Sequence, residues 1–131
     1  MYKIRSFKIF GMVGGLSILG GFGCRFDKEE LKYPPPPCDT VAVSYSLEVK
    51  PILEASCYGC HAADVAETAG AGIVLDSHAA LTGFLSGFEN LFTEAITHTG
   101  SASKMPKGGQ KLEACSIQKI LAWIRQGKLD N

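Results

Sequence analysis

The sequence predicts a small all-α domain, and three observations predict it. Apolar residues recur at helical spacing in two segments, Val49, Ile52, Leu53 and Cys57, and again Ile117, Ile120, Leu121 and Ile124. No run alternates with the period of two that marks a half-buried strand. Glycine-rich stretches at 70–72, 83–87 and 100–109 separate the helical signals and read as loops. Three to five helices joined by long loops are expected.

Each element has its own local signal. Ser46–Cys57 forms the first helix, with Pro51 tolerated only near a first turn, where a missing N–H costs nothing. Asp76 or Ser77 caps a short helix through Leu81, and a third helix covers Phe88 to Thr97. The last helix carries the clearest pattern, with Ile117, Ile120, Leu121 and Ile124 at i, i+3, i+4 and i+7. Ser116 suits its N-cap and Gly127 its stop.

A length of 131 residues is that of a single domain. Thirteen Lys+Arg balance thirteen Asp+Glu, which argues against a general nucleic-acid binder. With 46% hydrophobic and 20% charged residues the chain is not disordered throughout. Its start is different in kind. Lys3, Arg5 and Lys8 precede fifteen uncharged residues, Ile9 to Gly23, of which six are Gly. That stretch is short of the about 20 apolar residues of a bilayer span, and residues 1–23 read as a secretory signal.

Small residues leading into Cys24 resemble the bacterial lipoprotein signal, in which the cysteine is lipidated and becomes the new N-terminus. Gly21 stands where that family prefers Leu. Two acyl chains on Cys24 would hold the protein stably at a membrane. Residues 24–37 follow as a tether ending in Pro34 to Pro37, four prolines that favour an extended polyproline II rod. Loss of 1–23 removes three basic residues and leaves 10 against 13 acidic ones, so the mature chain carries −3. An extracytoplasmic, membrane-anchored location is expected, facing the periplasm or on the outer membrane.

Residues 38–131 must then supply the fold, and a core of that size is marginal without a disulfide, metal or cofactor. Cys57-Tyr-Gly-Cys60-His61 is a C-x-x-C-H sequence, the attachment signature of c-type haem. Two thiols one helical turn apart each reach a haem vinyl group, and the next residue places an imidazole under the iron. A dithiol redox motif would want a βαβ context, which is missing. A zinc site on Cys57, Cys60 and His61 would need a fourth ligand from Cys38, Cys115 or another histidine.

Met105 is the expected second axial ligand, being the methionine that remains once Met1 and Met12 leave with the signal. Pro106 biases it toward an extended backbone, and Gly108-Gly109 turns the chain back toward the last helix. His78 and His98 are the rival sixth ligands.

Over residues 44–127 the chain resembles class I cytochromes c. The resemblance rests on Val49-x-Pro51-Ile52-Leu53 leading to Cys57-x-x-Cys60-His61, on Leu75-Asp76-Ser77, on Met105-Pro106-x-Gly108-Gly109 and on Trp123-Ile124. Lys107 stands where related loops often have Pro or Gln. The small lipoprotein cytochromes of Bacteroidetes-type bacteria are the most similar group. The resemblance implies a cytochrome c fold in which N- and C-terminal helices pack across each other and long loops wrap one covalent haem c. It also implies Cys57 and Cys60 as thioether sites, His61 as proximal and Met105 as distal iron ligand. The function implied is electron transfer between redox proteins, not enzyme catalysis. The alternative is a haem sensor or small peroxidase-like enzyme with an open or labile sixth site; a structural zinc module is the third possibility. Cys38 and Cys115, both exported, are expected to form a disulfide. Lys104, Lys107 and Lys111 flank the ligand loop and would offer a basic ring to an acidic partner.

Overall fold

Ser44 and Glu48 begin the first helix by capping each other. The Ser44 hydroxyl accepts from the Leu47 N–H (3.3 Å), and the Ser44 N–H donates to Glu48 Oε2 (2.9 Å), satisfying donors that a helix start leaves open. The structure, a computed structural model, describes residues 37–131. The expected signal 1–23, the lipidation site Cys24 and the tether as far as residue 36 lie outside the described residues.

Among the described residues there are five helices and no strand, as the apolar spacing predicts. Helix α1 opens as a π-helical turn, Tyr45–Val49, and continues as Lys50–Ser56. Then come α2, Tyr58–His61; α3, Ala66–Ala69; α4, His78–Thr97; and α5, Ala114–Arg125. None of them is long and apolar enough to cross a membrane.

Pro51 does not lie in the first turn of α1 as a whole. It lies in the first turn of the α-helical part, immediately after the π turn. There the Lys50 N–H reaches back to the Tyr45 carbonyl, five residues earlier. A proline ring collides with the carbonyl four residues back in a regular helix, so the wider turn lets the helix run through it.

The two helices expected at 77–81 and 88–97 meet directly at a break at Phe88, with no loop between them. Helix α4 spans both, with a kink at Phe88 (φ −132°, ψ 27°), so Gly83 to Gly87 are helical rather than a loop. Each glycine costs about 1 kcal/mol relative to Ala. Leu81, Leu85, Phe92 and Ile96 are all buried by keeping the helix continuous, at about 1.5–3 kcal/mol each, and burial wins. The kink follows Gly87 and a Ser86 hydroxyl that donates to the Gly83 carbonyl (2.7 Å). Ser77, not Asp76, is the cap: its Oγ accepts from the Ala80 N–H (3.2 Å).

Helix α5 begins at Ala114, two residues ahead of the expected Ser116 cap, and Glu113 at its N-cap makes no side-chain bond. Its first turn is held by a disulfide instead. Cys38 and Cys115 are joined with an S–S distance of 2.04 Å across 77 residues of sequence. Gly127 ends the helix at φ +98°, and the Lys128 N–H closes on the Trp123 carbonyl (3.0 Å).

The first turn of α1 packs on α5, and Glu48 and Lys119 are paired across them at 2.8 Å. Val49, Leu53, Leu81, Leu85, Ile120 and Trp123 form the fully buried centre of the core. The Trp123 Nε1–H donates to the Leu129 carbonyl (2.8 Å), folding the last residues over that core.

Candidate functional site

Helix α1 delivers Cys57, whose N–H still bonds the Leu53 carbonyl (2.7 Å). At Cys57 (φ −124°) the helix breaks, and the N–H groups of Cys60 and His61 both return to the Cys57 carbonyl, at 3.0 and 2.9 Å. That single turn, α2, sets the two thiols and the imidazole in succession. Cys57 and Cys60 are both free; Cys60 is exposed and Cys57 half-buried. Burial pushes the Cys57 thiol up to about 11, so it is protonated at neutral pH. Tyr58 packs its ring against the core from between them. Its hydroxyl and that of Tyr45 are buried without a hydrogen-bond partner, and burial raises both phenols above their ordinary range.

His61 is held by the loop that follows it. Its Nδ1 lies 2.9 Å from the Ile73 carbonyl, which only accepts, so Nδ1 carries the proton and Nε2 keeps a free lone pair. The His61 carbonyl accepts from the Leu75 N–H (2.8 Å), and Asp76 Oδ2 accepts from the Ala63 N–H (2.7 Å). Gly70 lets the loop come this close. A Cβ there would overlap the Cys60 carbonyl and sit 2.9 Å from His61 Nδ1.

Ile73 also lines an open apolar cavity of about 480 Å³. Gly72 and Val74 join it from the loop, and Ala80, Phe84, Phe88 and Leu91 from α4. Phe84 and Phe88 stack at 5.3 Å. Phe88 remains 55% and Leu91 45% exposed. Neither Gly70, the Ile73 carbonyl nor this stripe is among the residues expected from sequence. Phe84, Phe88 and Leu91 stand at i, i+4 and i+7, a signal hidden by reading 83–87 as a loop.

Met105 is not part of the cavity lining. Its N–H donates to the Ala95 carbonyl (3.0 Å), and its carbonyl accepts from His98 Nε2 (2.9 Å). Ala95 lies one turn beyond Leu91 on α4. The Met105–Pro106 peptide is cis. The expected turn follows it: Gly108 has φ +72°, and the Gly109 N–H donates to the Pro106 carbonyl (3.1 Å).

The rival histidines are engaged elsewhere. His98 bonds Met105, and His78 Nε2 donates to the Lys128 carbonyl (2.8 Å) with its ring 4.9 Å from Tyr45 and 6.0 Å from Trp123. Lys104, Lys107 and Lys111 are all exposed around the Met105 loop. Among the described residues no three His, Cys, Asp or Glu side chains converge as a metal cluster. Comparisons with protein-family models, with curated proteins and with solved structures find no match for the chain.

Proposed function

We propose that the chain is a mono-haem c-type cytochrome, tethered to a membrane through Cys24, that passes single electrons between redox proteins outside the cytoplasm. The observation that carries this reading is the state of His61. Its Nδ1 is committed to the Ile73 carbonyl, its Nε2 lone pair is free, and it follows directly on two free thiols one turn apart. The donor set suits a covalently attached haem, and the apolar cavity lined by Ile73, though not by Cys57, Cys60 or His61, offers an apolar surface that its macrocycle would cover. Zinc fits less well, because Cys38 and Cys115 are consumed by their disulfide.

When bound, the haem supplies an iron that alternates between ferric and ferrous states. The chain's own residues do the rest. Cys57 and Cys60 would form the thioethers, and His61 Nε2 would bind the iron, its ring orientation held by the Ile73 carbonyl and its space kept by Gly70. Phe84, Phe88 and Leu91 would pack against one apolar face of the haem and shield it from water. Met105 would be the second iron-holding residue, and a thioether there would raise the potential relative to a second histidine. Lys104, Lys107 and Lys111 present positive charge to an acidic partner. An iron held by both His61 and Met105 would leave no position for a substrate, which suits a carrier rather than an enzyme.

The competing reading, a haem sensor or peroxidase-like enzyme with a labile sixth site, draws on the place of Met105 outside the cavity lining. Expression of the whole chain with haem-maturation machinery separates the two. The carrier reading expects a mass gain of one haem that Cys57→Ser with Cys60→Ser abolishes. It also expects a Met–iron charge-transfer band lost in Met105→Ala, and no binding of carbon monoxide by the wild type. Carbon monoxide binding would favour the sensor or peroxidase, and absence of covalent haem would sink both.

A further inference from the structure

We propose that Glu94 and His98, in and just after the last turn of α4, are positioning residues that set Met105 for its role as distal ligand, an assignment that rests on the electron-carrier reading above. The loop from residue 98 to 105 is tied to the end of α4 by several hydrogen bonds. The Glu94 carboxylate accepts from the Ser101 and Ala102 N–H groups, at 3.1 and 3.2 Å. The Ala95 carbonyl accepts from the Met105 N–H (3.0 Å), and the His98 ring donates to the Met105 carbonyl (2.9 Å). Both polar backbone groups of Met105 are therefore committed, and its peptide planes cannot swing without breaking a bond.

Residue choices along the loop follow from these ties. Gly100 (φ +61°) lies directly on the Glu94 carboxylate, where any Cβ would overlap it. His98 ends the helix in the left-handed conformation (φ 56°, ψ 38°), which glycine adopts without the steric cost, roughly 1 kcal/mol, that a histidine incurs. What histidine adds at that position is the ring that reaches Met105. The residues beyond Met105 offer no comparable support, since Lys107, Gly108 and Gly109 are exposed.

The consequence is geometric. Helix α4 carries Phe84, Phe88 and Leu91 on the cavity wall and, from its last turn, holds Met105. The part of α4 beyond the Phe88 kink thus carries Leu91 of the cavity wall and holds the backbone of Met105. His61 is referenced to the opposite wall through Ile73.

The test uses the full chain matured with haem, in wild type, His98→Gly, His98→Gln and Met105→Ala. His98→Gly removes the ring while relieving the left-handed backbone, and His98→Gln restores a donor. Three quantities are read: haem mass, the Met–iron charge-transfer band, and amide hydrogen exchange at Met105. His98→Gly should keep covalent haem, lose at least half of the band, and exchange the Met105 amide about tenfold faster. His98→Gln should recover most of both. An unchanged band and unchanged exchange in His98→Gly would overturn the assignment. So would a band that survives in Met105→Ala but vanishes in both His98 variants, which would make His98 the ligand. Absence of covalent haem in the wild type would remove the electron-carrier reading instead. The exchange arm would then decide the tie by itself, with unchanged exchange in His98→Gly counting against it.

Discussion

Helix α4 has two apolar faces with opposite fates. Leu81, Leu85, Phe92 and Ile96 are buried against the rest of the core, none more than 6% exposed. Phe84, Phe88 and Leu91, from the same helix, border an open cavity, with Phe88 and Leu91 about half exposed. An uncovered stripe of large apolar side chains is the informative kind of exposure, because water gives such surface no return. The covered face holds the fold together. The uncovered face, beside the His61 loop, is the surface that the proposed haem would cover.

That contrast breaks most readily at the covered side. Replacing Cys38 and Cys115 by serine opens a closure across 77 residues, and denaturant unfolding should register a loss of about 4–5 kcal/mol. Leu85→Ala, on the buried face, should cost about 2–5 kcal/mol in the same measurement. Gly70→Ala acts between the faces. Its Cβ meets the Cys60 carbonyl and the His61 ring, so about 1–3 kcal/mol of stability should go, together with part of the haem incorporation read by mass. Phe88→Ala should differ in kind. Without haem it should change unfolding by less than about 0.5 kcal/mol, whereas with haem attached it should lower the melting temperature. Equal effects of Leu85→Ala and Phe88→Ala on the chain without haem would erase the distinction between the faces.

The smallest effect concerns the seam between α1 and α5. The Lys119 ammonium first, and then the Ser44 N–H, hold the Glu48 carboxyl below its ordinary value. A carboxyl lowered in the folded state contributes stability that is fully present above its unfolded value and is lost as the pH falls through the folded one. Wild type should therefore exceed Glu48→Gln by a small margin at neutral pH. The margin should close as the pH drops below about 4.5. A margin independent of pH would mean that the pair contributes nothing through its charge.

The parts legible in the sequence were those written in nearby residues. Helical spacing marked α1 and α5 because Val49, Leu53, Ile117, Ile120 and Ile124 all lie on buried faces. Gly127 marked the end of α5 because a left-handed residue there needs no tertiary help. The stretch 83–87 reads as a loop in the sequence because each glycine there argues locally against a helix. The burial that outweighs them, of Leu81, Leu85, Phe92 and Ile96, depends on which partners pack against that face. The start of α5 was placed late because a disulfide to Cys38, not a capping side chain, holds it.

The sequence by itself determined the order of the candidate site, two thiols one turn apart and then an imidazole, because that order is covalent spacing. It also determined the helical class and which cysteines were left to pair. Only the tertiary structure decided which nitrogen of His61 is free, because the Ile73 carbonyl that settles it is a backbone group that every residue has. It likewise decided that His98 serves Met105 and that Phe88 and Leu91 remain uncovered. Proton position and exposure belong to neighbours in space, and those neighbours are chosen by how the helices pack.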